Sequence, residues 1–262
     1  FQIPTSDLGK KISIQFDGIH RNSTVWVNGF YVGNEPSGYA SSVYDITDYL
    51  NYGGENVVTV RADASIEEGW YYEGAGIYRH VWLNKTDRLH VAQYGTFVTS
   101  ELKDNNAELT IRTTVENHYP ETAKFTIEQT LFDASNLAVA SQTYNSLSLG
   151  GNLDNTFFQK LKVENPKLWS IESPYLYRLE TLVKQDGKTV DCYNTNVGIR
   201  TVRFDPNKGF FLNGKNVKIK GVNNHQDHAG VGTAIPDALQ EFRIMKLKEM
   251  GCNAIRTSHN PA

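Results

Sequence analysis

Up to about residue 198, apolar side chains recur at every second position, and a helical period surfaces only after Pro236. Alternation sends successive side chains to opposite faces of an extended chain, so each such run reads as a strand with one face to bury. Lys11 to Phe16 sets Ile12, Ile14 and Phe16 on one face. Ser23 to Val32 holds Asn28-Gly29 between Val25-Trp26-Val27 and Phe30-Tyr31-Val32. Both turn residues tolerate positive φ, so this pair predicts a tight hairpin. Asn56 to Ala62 and Tyr78 to Leu83 supply further strands, and the Gly- and aromatic-rich stretch Gly69 to Gly76 reads as a shaped loop. Residues 1–88 are therefore expected to form a sandwich of jelly-roll type, incomplete at its N-terminus.

Residues 89–198 repeat the all-β theme with different spacing. Leu109, Ile111, Thr113 and Val115 share one face, as do Phe125, Ile127 and Leu131. Phe157, Leu161 and Val163 follow, then Tyr177, Leu179, Thr181 and Val183. Turn clusters at 103–106, 149–152 and 185–188 separate these runs. About seven strands in roughly 110 residues fit an immunoglobulin-like sandwich. The cysteine pair of antibody domains is absent, which favours the fibronectin-like relatives.

After Gly198 the grammar changes. Phe210 to Lys215 contains a second Asn-Gly hairpin, and Val217 to Val222 reads as a strand running into the polar cluster Asn223-Asn224-His225-Gln226-Asp227-His228. Pro236-Asp237 opens a helix, with proline at its first position and Asp complementing the positive N-terminal end. Leu239, Phe242 and Met245 recur at helical spacing, and Gly251 suits the position just past the helix. Asn253 to Thr257 begins another strand that ends in Ser258-His259-Asn260-Pro261. Strand, loop, helix, strand is the opening of a (β/α)8 barrel, in which functional groups sit at the C-terminal strand ends. A whole barrel takes about 250 residues, so 199–262 is expected to be the start of a TIM barrel, truncated.

Composition removes several alternatives. The 39% hydrophobic and 21% charged content suits buried cores. A net charge of -3 without a dense Lys/Arg run leaves no footprint for nucleic acid. No apolar run approaches the ~20 residues of a membrane span. The two cysteines, Cys192 and Cys252, support neither a disulfide framework nor a zinc site. The first residues lack the charged and apolar regions of a signal peptide, which leaves the compartment open between a bacterial periplasm and cytoplasm.

At this point the sequence resembles glycoside hydrolase family 2, nearly end to end. Asp17-Gly18-Ile19 and Val25 to Gly29 look like that family's sugar-binding jelly roll, and Trp70 to Arg79 matches the end of the same domain. Pro166 to Ser170 followed by Pro174 to Tyr177 looks like its immunoglobulin-like domain. Lys220 to His228 and Ile255 to Pro261 look like its first two barrel strands. Five such motifs in the right order are strong.

Retaining glycoside hydrolysis needs two carboxyl groups ~5–5.5 Å apart. The resemblance implies that the acid/base and the nucleophilic glutamate come from later barrel strands, beyond residue 262, and that this chain alone is inactive. It further implies that His225 and His259 line the sugar pocket and hydrogen-bond ring hydroxyls. Neutral imidazole offers one donor and one acceptor, which suits a hydroxyl. Arg256 resembles a residue beside the nucleophile, where a fixed cation keeps the carboxylate ionised. Asn224, Asp227 and Asn260 supply further polar contacts. Trp70, in the loop Trp70 to Tyr72, reads either as part of the sugar site or as a plug between jelly roll and barrel. Against this stands the plain reading of 225–228 and 258–260 as polar loop residues. A metal cluster of His225, Asp227, His228 and His259 has no second pattern to fix its geometry. No cofactor is identifiable, although the full enzyme has room for a divalent or monovalent ion.

The expected parent is a retaining exo-β-glycosidase, and His225-Gln226-Asp227-His228 with Gly230-Val231-Gly232 tilts the substrate towards a β-galactoside. β-Glucuronidase, β-mannosidase and a non-catalytic carbohydrate-binding module are the alternatives. The expected partners are carbohydrate and further copies of the chain in a homo-oligomer.

Overall fold

The computed structural model describes residues 1–65 and 74–260. It divides into two compact units, Phe1–Lys85 with Ile219–Ala262, and Thr86–Lys218.

In the first unit, short antiparallel sheets enclose a core of Ile12, Ile14, Phe16, Val25, Val27, Tyr44 and Ile46. Lys11–Phe16 lies between Ser42–Asp45 and Val81–Thr86, and Ser23–Val27 lies between Phe30–Glu35 and Val58–Ala62. The hairpin expected at Asn28-Gly29 is present. Val27 pairs with Phe30 across two residues with φ of 49° and 87°, as a two-residue turn of matching twist requires.

Two strands start later than their alternation predicts. Asn56 is buried and serves a loop, its side chain accepting from Asn51 N at 2.7 Å and from Asn28 Nδ2 at 2.8 Å, so the strand begins at Val58. Tyr78 docks its ring where a Cβ on Gly18 would stand 2.5 Å away, and its hydroxyl donates to Gly38 O at 2.9 Å. Regular pairing of that strand therefore begins at Val81.

The second unit is a sandwich of seven strands. One sheet orders Leu153–Glu164, Asn106–Asn117 and Leu89–Lys103. The other orders Ala138–Leu149, Ala123–Phe132, Tyr177–Gln185 and Lys188–Val197. Leu109, Ile111, Leu131, Leu179 and Val197 form one apolar cluster, and Val91, Val115, Phe125, Ile127 and Val183 another. Between the clusters lies a buried polar layer that alternation did not reveal. Gln129 Nε2 donates to Thr113 Oγ1 at 3.1 Å and to Thr181 Oγ1 at 3.5 Å, with Gln159 against Thr113. The Asn213-Gly214 hairpin also forms, joining Gly209–Leu212 to Lys215–Asn216.

Back in the first unit, Gly221–Asn224 and Ala254–Thr257 pair in parallel, with the helix Asp237–Glu249 between them in sequence. The first of these strands is shorter than the Val217 to Val222 run expected. Val217 N donates to Phe210 O at 2.9 Å instead, and close pairing starts at Gly221, where a Cβ would stand 2.8 Å from Ala254 O. Pro236 is the N-cap, one position before the one expected. At the other end Gly251, with φ of 90°, completes a Schellman turn: Cys252 N donates to Leu247 O and Gly251 N to Lys248 O. The helix's half-buried face carries Leu239, Arg243 and Leu247, four apart, whereas Phe242 and Met245 of the expected stripe are exposed.

Candidate functional site

Parallel pairing at 221–224 and 254–257 sets two strand ends side by side, Asn224 opposite Thr257. Ser258 N donates to Asn224 O at 3.0 Å and carries the ladder one bond further. The next side chains on each strand, His225 and His259, meet edge to face with ring centroids 5.2 Å apart and planes at 78°. His225 is half-buried and His259 exposed. A neutral imidazole carries one donor and one acceptor nitrogen.

Arg243 fixes this corner from the helix. Its Nη2 donates to Asn224 Oδ1 and, at 2.8 Å, to the main-chain oxygen of His225. One guanidinium thus orients the Asn224 amide and holds the backbone that carries His225. Sequence reading missed Arg243. The available signal was an arginine spaced four from both Leu239 and Leu247, where a leucine would complete the stripe.

The other expected residues fall around this pair. Arg256 stands opposite Asn223 in the register and is exposed, its Nη1 donating to Asn223 Oδ1 at 3.4 Å. Asp227 is half-buried in the loop after the first strand, and Asn260 is half-buried after the second. Trp70 lies outside the described residues. Gln226 and Ser258, not singled out from the sequence, are buried beside the two histidines, and the Ser258 hydroxyl has no hydrogen-bond partner. The loop then closes on itself through His228 N, which donates to Gly232 O at 2.9 Å, and buries Thr233 and Ile235.

The segment after Gly76 reaches the start of the helix. Arg79 Nη1 donates to Ile235 O at 3.3 Å and lies 4.0 Å from Asp237 Oδ1, while His80 Nε2 lies 3.4 Å from Asp237 Oδ2. Asp17 sits on the other side of His80 at 3.9 Å and accepts from Trp82 Nε1 at 2.7 Å. Asp237 is largely exposed, so these contacts orient the helix start more than they stabilise it. Among the described residues, no helix is long and apolar enough to cross a membrane.

Three family models cover the chain in order. "Glycosyl hydrolases family 2, sugar binding domain" matches residues 1–87. "Glycosyl hydrolases family 2" matches 89–200, and "Glycosyl hydrolases family 2, TIM barrel domain" matches 205–262. The chain is 43% identical over 263 residues to the β-galactosidase BoGH2A of Bacteroides ovatus, spanning 100% of this chain and 31% of that protein. It is 30% identical to a β-glucuronidase of Formosa agariphila, over 99% of this chain and 29% of that protein. A crystal structure of a glycosyl hydrolase family 2 member from Bacteroides cellulosilyticus superposes with a TM-score of 0.95 at 37% identity, covering 100% of this chain and 36% of that one. The chain therefore spans about a third of the length of the curated relatives it matches. Its jelly-roll and immunoglobulin-like sandwiches and its opening barrel strands belong to glycosyl hydrolases family 2.

Proposed function

We propose that this chain is the sugar-positioning part of a retaining exo-β-glycosidase that removes terminal β-galactosyl residues. The observation that carries the reading is the His225–His259 pair at adjacent parallel strand ends, with Asn224 oriented beside it by Arg243. In this account His225, His259, Asn224, Asp227 and Asn260 hydrogen-bond ring hydroxyls, and Trp70 contributes a ring face. Arg256 holds the nucleophile ionised. The acid/base and the nucleophile are two glutamates outside these 262 residues. One protonates the departing oxygen while the other attacks the anomeric carbon, and water then releases the sugar with its configuration retained.

The preference for galactoside over glucuronide is supported by the loop His225 to Gly232 and by the 43% identity to a β-galactosidase, against 30% for a β-glucuronidase. Three domains, 1–88, 89–198 and 199–262, are the division we adopt, in keeping with the family matches. We also read the parent protein as a homo-oligomer that acts on carbohydrate. Exposed Phe242, Ile244, Met245 and Met250 support a further packing surface, and a light-scattering mass equal to one chain would contradict it.

The test uses an aryl β-galactoside with the full-length protein and with this chain alone, following the first-formed sugar by proton NMR. The full-length protein is expected to release the β-anomer first, and this chain is expected to release none. Release of the α-anomer first, or turnover by this chain alone, would overturn the mechanism.

A further inference from the structure

Away from the barrel segment, the immunoglobulin-like sandwich places three metal-competent side chains in one spot. His90 on Leu89–Lys103 stands directly opposite Glu116 on Asn106–Asn117. Residues directly opposite across a ladder share a face, and residues two apart on one strand do so as well. His118, two beyond Glu116, keeps the ladder geometry because its N–H donates to Arg88 O at 2.8 Å. Leu89, Val91 and Val115 point into the core, so His90 and Glu116 project from the other face of the sheet.

We propose that His90, Glu116 and His118 form a three-ligand site for a first-row divalent transition ion, typified by zinc.

The geometry fits a ligand set. His118 Nε2 lies 2.8 Å and His90 Nε2 3.6 Å from Glu116 Oε2, and the three ligand atoms all fall within 4.8 Å of one another. Tetrahedral bonds of ~2.0–2.2 Å place ligand atoms ~3.3–3.6 Å apart, so sub-ångström side-chain adjustments bring all three onto one ion. The two imidazoles lie side by side, ring centroids 5.5 Å apart and planes at 17°. Glu116 and His118 are about one-third exposed, at 35% and 32%, whereas His90 is buried. The fourth position thus opens to water, with one deep ligand and two accessible ones.

Donor chemistry selects the ion. Two imidazoles and one carboxylate suit zinc, copper or nickel, whereas calcium and magnesium prefer oxygen ligands throughout. The surroundings suit a cation too. The Asp191 carboxylate is held nearby by accepting from Val91 N at 2.9 Å, and its charge acts on His90.

The experiment uses the 262-residue chain stripped with a chelator. Zinc is titrated calorimetrically, and cobalt(II) is followed by its visible d–d spectrum, with Mg2+ and Ca2+ run in parallel. Because His90 is buried and His90→Ala would leave a cavity in the sandwich, the variants are His118→Ala and Glu116→Gln, with His228→Ala as the control. The expected result is one equivalent of zinc and a visible cobalt band of low coordination number. The band should vanish and zinc affinity should fall by roughly 100-fold in His118→Ala, with His228→Ala unchanged. No zinc binding at about 100 µM, binding unaltered in both site variants, or binding lost in His228→Ala would each overturn the proposal.

Discussion

The imidazole of His225 stands edge-on to that of His259 at 5.2 Å, one ring one residue past the strand Gly221–Asn224 and the other two residues past its parallel partner Ala254–Thr257. Neither ring could be placed by its own strand alone, because the pairing register fixes where the second one falls. If both serve sugar hydroxyls, the contacts are polar and the ring packing is secondary. His259→Phe in the full-length protein keeps the aromatic contact and removes the nitrogens. We expect kcat/KM on an aryl galactoside to fall by roughly 10- to 100-fold, the cost of one or two lost hydroxyl contacts, with Tm nearly unchanged. An unchanged kcat/KM would remove His259 from the sugar site.

Arg243 is expected to act through Asn224 and the His225 backbone, as a positioning residue. Arg243→Leu completes the apolar stripe with Leu239 and Leu247, so packing is largely retained while two donors are lost. Charge-assisted bonds contribute about 1.5–3 kcal/mol each, and here that loss appears mainly as misplacement of the sugar-binding corner. The variant should lower kcat/KM in the full-length protein with a smaller change in urea stability. Partial recovery in Arg243→Lys would confirm that a donor at this place matters.

The polar layer in the sandwich core gives a stability prediction. Gln129 is fully buried, its amide bridging Thr113 and Thr181. Gln129→Ala leaves a void and removes the amide donor to the Thr113 and Thr181 hydroxyls, which should cost about 2–4 kcal/mol in urea unfolding. Thr113→Val is nearly isosteric but leaves the Gln129 amide short of a partner, at about 1–2 kcal/mol. A Gln129→Ala loss below that of Thr113→Val would show that the layer is not organised around Gln129.

How much of this was legible in the sequence depended on distance along the chain. Asn28-Gly29 and Asn213-Gly214 announced their hairpins because turn geometry is local. The cap at Gly251 was legible for the same reason. The inner face of the helix was not. Phe242 and Met245 outrank Arg243 in hydrophobicity, yet the corner at Asn224 needed a donor on that face. Gln129 was passed over because alternation treats a polar residue on the core face as a gap. His90 and Glu116 stand 26 positions apart and become neighbours only through strand register, with a bulge between Thr113 and Val115 shifting it.

Acid should destabilise the chain through turn carboxylates such as Asp205. Its side chain accepts from Arg203 Nη1 at 2.8 Å and from the amides of Asn207 and Lys208 at 3.0 Å. The Arg203 bond, followed by those two amides, holds the Asp205 carboxyl below its usual value of 3.8. A depressed folded pKa adds stability that is fully present above 3.8 and is lost as pH falls through the lower folded value. Asp205→Asn should therefore lower stability at pH 7 and make the acid limb of a stability–pH profile shallower. An acid limb identical to the parent's would contradict this.

The central claim is that the residues gathered at these strand ends belong to a β-galactoside site. The most direct measurement is kcat/KM of the full-length protein for matched aryl β-galactoside and aryl β-glucuronide. The account predicts a preference for the galactoside of at least about 100-fold, a preference that His225→Ala would erode, since a buried polar group left unpaired costs about 1–3 kcal/mol. Equal rates on the two substrates, or faster hydrolysis of the glucuronide, would contradict it.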